Sequence, residues 1–205
     1  AQSEMIWPCE GYVCDWGNFS TKSQSTIKGQ TMNLNSVFHS NSEYTKSHYF
    51  VNIFLHNHNY HRIHAPVSGI IKKIQRIPGD LVFLRPWFYR RSDVSYPSIR
   101  NERVSIEIMD VNGFSWFLSL VGGFGVGTIE TNANVLVGSH VSVGQELGLF
   151  KLGSTVCMAS PYDLQPNTYL EQVRVGDGLK LGGERCQKLP KQYQNKLNMQ
   201  ASQPS

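Results

Sequence analysis

Residues 103–109, RVSIEIM, alternate Val104, Ile106 and Ile108 with Arg103, Ser105 and Glu107, a two-residue repeat that predicts a strand with one face buried. Similar runs predict strands over residues 69–74, 116–121, 145–150 and 170–175. Glycine-bearing breaks separate them: Pro78-Gly79-Asp80, Asn112-Gly113, Gly138-Ser139 and Gly176-Asp177-Gly178 are the expected turns. Helix is expected only around residues 33–38 and 162–169. After Gly183 the chain turns to Gln, Lys, Asn and Ser with little apolar content, which predicts a flexible tail over residues 184–205. The pattern therefore predicts an α+β, mostly β protein: a compact, twisted, barrel-sandwich-like sheet domain over residues 1–183.

Length supports one domain, because 205 residues with 40% hydrophobic content build one sizeable core and not two. The most apolar stretch, residues 114–127, is shorter than the roughly 20 residues of a bilayer-crossing helix and holds four glycines, so it reads as core. The formal charge of +4 suits an anionic partner such as a lipid surface. Its Lys and Arg are not gathered into the block that nucleic acid would call for. Cys9, Cys14, Cys157 and Cys186 lack Cys-x-x-Cys spacing, which leaves two disulfides arithmetically open and signals neither zinc ribbon nor redox pair. The chain begins with Ala1 and shows no basic start followed by an apolar run, the expectation being a processed product or a fragment.

The chemistry-bearing residues fall in a few places. His56, His58, His61 and His64, four of the seven histidines, lie in HNHNYHRIH. On a strand His56 and His58 would share a face, open to a transition metal or to solvent, but no third ligand is identifiable and no metal is expected. Residues 137–148, VGSHVSVGQELG, carry a Val-x-x-Gly-Gln-x-Leu-Gly pattern found in lipoyl-like barrels and in zinc endopeptidases of the lysostaphin type. No histidine follows His140, which argues against the peptidase. Gly153-Ser154-Thr155 by itself is compatible with an ordinary turn. Residues 83–91, FLRPWFYRR, set Trp87, Phe88 and Tyr89 beside Arg85, Arg90 and Arg91, a mixture suited to a headgroup layer or to a core loop or dimer contact.

Taken in order, YHRIHAPVSG (60–69), PGDL (78–81), NERV (101–104), VGTIE (126–130) and GQELGLFKLGSTV (144–156) strongly resemble the phosphatidylserine decarboxylases. The resemblance extends weakly back through WPCEG and IKGQTMNLNSVF and forward through LEQVRVG, covering most of residues 6–182. The helical region that precedes the family's Pro-x-Asp-Gly motif is expected to be missing from the residues given. The resemblance implies that the chain cuts itself between Gly153 and Ser154, leaving a pyruvoyl group derived from Ser154 at the head of the 52 residues from 154 to 205. In that reading Ser154 attacks the Gly153 carbonyl, and glycine leaves the approach unhindered. Serine needs a base, and the family's pattern assigns that role to His64, with His61 near the later protonation step. The pyruvoyl carbonyl would act as the electron sink for decarboxylation of a substrate amine.

The orienting acid of the base carries over to Glu10, where the chain departs from the family: Pro8-Cys9-Glu10-Gly11 holds Glu in place of Asp. Glutamate reaches one methylene further, which predicts slower maturation. The implied substrate is phosphatidylserine on an anionic membrane surface, and the implied localisation is peripheral, on a bacterial or mitochondrial inner membrane. The family's members commonly form homodimers. Two rival readings stand beside it, a pyruvoyl decarboxylase of a soluble amino acid and an unmatured homologue acting as a binding module. If residues 83–91 dock on lipid, the protein floats with anionic liposomes and flotation falls when Trp87 and Phe88 are both changed to Ser. Unchanged flotation of that variant would dismiss the loop's membrane role.

Overall fold

The computed structural model describes residues 5–18, 24–27, 30–39, 48–80, 101–123, 129–151, 154–168 and 170–185. Its elements are β1 (Gly11–Asn18), β2 (Gln24–Ile27), β3 (Gln30–Asn33), α1 (Leu34–Phe38), β4 (Tyr49–Leu55), β5 (Arg62–His64), β6 (Gly69–Ile77) and β7 (Arg103–Asp110). They continue with β8 (Ser115–Val121), β9 (Ile129–Thr131), β10 (His140–Val141), β11 (Glu146–Phe150), β12 (Ser154–Ser160), β13 (Tyr162–Leu164), β14 (Gln172–Val173) and β15 (Leu181–Arg185). Eight strands form one antiparallel sheet in the order β10-β6-β7-β8-β12-β4-β1-β14, and β5-β11-β9 form a second, three-stranded sheet. The protein is mostly β, as the pattern predicts, and its sheets are not closed into a barrel.

The main core lies between these two sheets. Val104, Ile106 and Ile108 of β7 and Val51, Ile53 and Leu55 of β4 meet Ile63, Leu147, Ile129 and Phe150 from the smaller sheet. Burying one such side chain contributes about 1.5–3 kcal/mol, so the alternation in RVSIEIM is enough to choose which face of β7 turns inward. The polar face of the same strand is also buried, beyond what alternation predicts. Arg103 and Ser105 are only 5% and 3% exposed because α1 lies over them. The Arg103 guanidinium donates to the Ser36 carbonyl at 2.7 Å, and the Ser105 hydroxyl donates to the Phe38 carbonyl. A second apolar cluster of Val37, Phe38, Phe50, Phe117, Val121, Cys157 and Ala159 fills this side of the large sheet.

Most predicted elements are present with shifted ends. The expected helix at residues 33–38 is α1, while the one expected at 162–169 is replaced by β13. Tyr162 and Leu164 both turn into the main core, and the Tyr162 ring lies 5.9 Å from Trp116. Pairing with β15 takes up the backbone, and Pro166 lacks the N–H a continuing helix needs. The strand expected over 170–175 shrinks to β14, since Leu170 at φ 63° and Gly176 at φ 87° bend the chain on either side. Gly113 and Gly138, at φ 81° and 89°, occupy two of the expected turns. β15 runs through Arg185, which pairs with Tyr162, so the first two residues of the expected tail belong to a strand. Residues 186–205 and the aromatic-basic run at 83–91 lie outside the described residues.

Gly69 opens β6 where that strand passes β7. A Cβ there would stand 2.2 Å from the Met109 carbonyl oxygen, so the two backbones approach too closely for any side chain. Gly69→Ala is expected to destabilise the fold by about 1–3 kcal/mol, the usual cost of overpacking, read as a lowered urea midpoint with little change in slope. A midpoint equal to that of the unsubstituted protein would contradict this close approach.

Candidate functional site

The site forms where the chain passes from the small sheet to the large one. β11 ends at Phe150, whose N–H donates to the His61 carbonyl at 2.9 Å, and β12 begins at Ser154, opposite Leu55 of β4. Leu55 leads directly into a turn over residues 56–59, closed by the Asn59 N–H on the His56 carbonyl at 2.8 Å. His61 follows, its Nε2 donating to that same His56 carbonyl at 3.1 Å. The start of β12 and the histidine segment are thus drawn together by backbone pairing on both sides.

Ser154 is fully buried, and its alternation with Val156 and Met158 turns it toward the main core. Its hydroxyl has no hydrogen-bond partner. The Nδ1 of His61 is likewise buried and without a partner. An unmet buried polar group costs about 1–3 kcal/mol, so two of them at one junction of chain segments is a feature that stability alone does not favour. Gly153 lies outside the described residues.

His64 is half-buried at the end of β5, its backbone N–H donating to the Pro8 carbonyl at 2.8 Å. This contact, with the Ile6 N–H on the Pro66 carbonyl, lays the Pro8-Cys9-Glu10 segment alongside the histidines. His64 Nδ1 lies 2.7 Å from the Gly144 carbonyl oxygen and Nε2 lies 3.3 Å from the Tyr60 hydroxyl, with the Tyr60 ring stacked on the imidazole. Glu10 is in the same neighbourhood, but its carboxylate accepts a hydrogen bond from the Asn59 amide at 2.8 Å, and none joins it to His64. Nor does a hydrogen bond join His64 to Ser154, whose Oγ is unpartnered.

His56 and His58 sit in the exposed turn and not on a strand, with ring centroids 5.0 Å apart. Among the described residues, no three His, Cys, Asp or Glu side chains are grouped so as to hold a metal ion. Cys9 and Cys157 are buried free thiols, and Cys14 is buried. Burial raises the Cys9 thiol well above its ordinary value, with Cys157 and Glu10 adding to the rise. Burial likewise pushes Cys157 up to about 12 against the opposing pull of Arg103. Both thiols are therefore poor sources of thiolate.

Reading the sequence did not single out Asn59, Tyr60 or Gly144. Tyr60 had a signal, since it stands four residues before His64 in the same motif. Gly144 acts through its backbone carbonyl, for which a side-chain pattern carries no sign.

A model of the family described as phosphatidylserine decarboxylase matches residues 1–185. A phosphatidylserine decarboxylase proenzyme of Marinobacter nauticus is 31% identical over 200 residues, covering 86% of this chain and 69% of the relative. Proenzymes of the same name from Idiomarina loihiensis and Methylobacillus flagellatus are 31% and 27% identical, each over 80% of this chain and over 62% and 65% of the relatives.

Asn59 accepts the His56 N–H at 2.7 Å through its side-chain oxygen while its amide nitrogen donates to Glu10. Asn59→Ala removes both bonds and is expected to lower stability by about 1–3 kcal/mol, at 0.5–1.5 for each, measured by thermal or urea unfolding. A loss near zero would mean that the side chain does not hold the turn.

Proposed function

The chain belongs to the phosphatidylserine decarboxylase family, a family of carboxy-lyases, and from that premise we propose that it converts phosphatidylserine to phosphatidylethanolamine after cutting itself between Gly153 and Ser154. The observation that carries this reading is the Ser154 hydroxyl, wholly buried at the head of β12 with no partner. The Thr155 and Ser119 hydroxyls are also buried without a partner, so what sets Ser154 apart is its place at the head of β12, on the side of the strand that faces the main core.

The steps balance without an outside oxidant. Ser154 Oγ loses its proton to His64 and adds to the Gly153 carbonyl, and the amide C–N bond breaks so that residues 1–153 are held as an ester. Loss of the α-proton of residue 154 expels the Gly153 carboxylate, leaving dehydroalanine. Water then replaces its nitrogen, releasing ammonia and leaving a pyruvoyl group. The base must be neutral to act, and the Nδ1 contact of His64 with a carbonyl, which can only accept, leaves Nε2 as the unprotonated nitrogen.

The residues present fit a pyruvoyl group: position 154 faces the apolar core, and its oxygen has no bond that must be broken. When formed, the group supplies an electron sink for loss of carbon dioxide from an amino acid headgroup. His61 lies on the segment whose carbonyl accepts the Phe150 N–H, four residues before Ser154, and in this reading its imidazole, once protonated on both nitrogens, returns a proton to the substrate carbon. Residues 1–153 and 154–205 would remain together as the large and small chains of one precursor, since β12 is paired on both edges by β4 and β8. Peripheral association with the membrane is part of the same proposal; no helix among the described residues is long and apolar enough to cross one. Pairing as a homodimer is part of the same proposal.

One observation favours the unmatured module instead: His64 bonds to Tyr60 and Gly144, while the Ser154 hydroxyl bonds to neither histidine. A denaturing intact-mass spectrum decides between them. Two fragments meeting at Gly153 and Ser154 are expected, the smaller lighter than a serine-headed chain by the elements of ammonia, and both are expected to vanish in Ser154→Ala. A single mass for the unsubstituted chain would overturn self-cleavage. Release of carbon dioxide from phosphatidylserine but not from free amino acids is the expected substrate result, and the reverse preference would transfer the reading to a soluble decarboxylase.

A further inference from the structure

Resting on the self-cleavage reading, we propose that His64 is set up as a base by the Gly144 carbonyl and held in check by the Tyr60 hydroxyl, with the Glu10 carboxylate taking no part in orienting it. The imidazole has two nitrogens and the structure accounts for both. Nδ1 faces a carbonyl oxygen at 2.7 Å, a group with no proton to give, so the neutral ring carries its hydrogen on Nδ1. Nε2 then holds the lone pair, and the Tyr60 hydroxyl at 3.3 Å donates to it. The lone pair that must take the Ser154 proton is already engaged by a tyrosine.

The carbonyl is firmly placed. Gly144 adopts φ +79°, a conformation glycine takes without strain, and its own N–H donates to the Ala65 carbonyl at 2.9 Å. The adjoining Gln145 N–H closes the turn on the Ser142 carbonyl at 2.9 Å, and the Gln145 side chain accepts from the Ser142 N–H at 3.1 Å. The acceptor is therefore preorganised by backbone one residue beyond His64, which is the role a carboxylate would otherwise fill. Glu10, longer by a methylene than the family's residue, has its carboxylate on Asn59 and the turn at 56–59. Tyr60 is 44% exposed, so its hydroxyl can swing away into water without leaving a buried group unmet. Stacking of the two rings keeps Tyr60 near the imidazole in either state. Tyr60 is thus a positioning residue, acting on Ser154 only through His64.

Two measurements on the full chain test this separately from self-cleavage. In a Ser154→Ala chain carrying nitrogen-15 histidine, long-range proton–nitrogen correlation at a pH where His64 is neutral is expected to show it protonated on Nδ1, and Glu10→Gln is expected to leave that pattern unchanged. The opposite tautomer, or a switch of tautomer on Glu10→Gln, overturns the proposal. In a time course of cell-free synthesis with Ser154 intact, Tyr60→Phe, which retains the stacked ring, is expected to cleave about threefold to tenfold faster, the factor corresponding to loss of one ordinary hydrogen bond. Cleavage unchanged or slowed in that variant, with its unfolding temperature matched to the unsubstituted chain, overturns the check by Tyr60. If neither chain cleaves, the self-cleavage reading fails, and the tautomer measurement still decides how His64 is held.

Discussion

The register of β12 between β4 and β8 is the constraint on which the rest of the site depends. Ser154 lies opposite Leu55, and Thr155 opposite both Phe54 and Val121. Side chains alternate faces along a strand, so a slip of one residue would turn Ser154 into the second cluster with Cys157 and Ala159 and bring Thr155 toward the main core. Pairing on both edges makes such a slip expensive, because every residue of a seven-residue strand would change face at once. The same register fixes how far Leu55, and hence the turn at 56–59, stands from the head of β12.

A row of polar side chains across the large sheet reinforces that register. Asp15 pairs with Asn52, Asn52 with Cys157, Cys157 with Ser119 and Ser119 with Ser105, each on a neighbouring strand. They share the face covered by α1, where Arg103 is held by the Ser36 carbonyl and burial lowers its pKa. Shifting any strand by one position would drive a polar group of this row into the apolar core, an uncompensated burial that costs more than the loss of a contact. The row thus acts against misregister while the apolar face supplies the stability.

Local order at the histidines comes from short-range geometry with long-range anchors. The turn at 56–59 closes on itself, yet it is held to the rest of the molecule by Asn59 on Glu10, Phe150 on His61 and Pro8 on His64. These three contacts join chain positions far apart in sequence. A site assembled this way has Ser154 on one sheet and His64 on the other, and it closes only when the two sheets pack.

Alternation alone was sufficient for most strands, because burying one face of a strand is a local decision repeated every two residues. Ser154, His61 and His64 were singled out through their motifs, and the fold draws their segments together at the junction of the two sheets. The strand at Tyr162–Leu164 was not legible, because its conformation follows from pairing with β15 and packing on Trp116, both remote in sequence. Nor was the burial of Arg103 and Ser105, since an alternating pattern cannot say what will cover its polar face. The sequence by itself determined the strand periodicity and which side chains are candidates for chemistry. Only the tertiary structure decided that Glu10 bonds to Asn59 and that His64 faces the Gly144 carbonyl. Hydrogen bonds of those lengths are set by where separate strands come to rest, which no local pattern encodes.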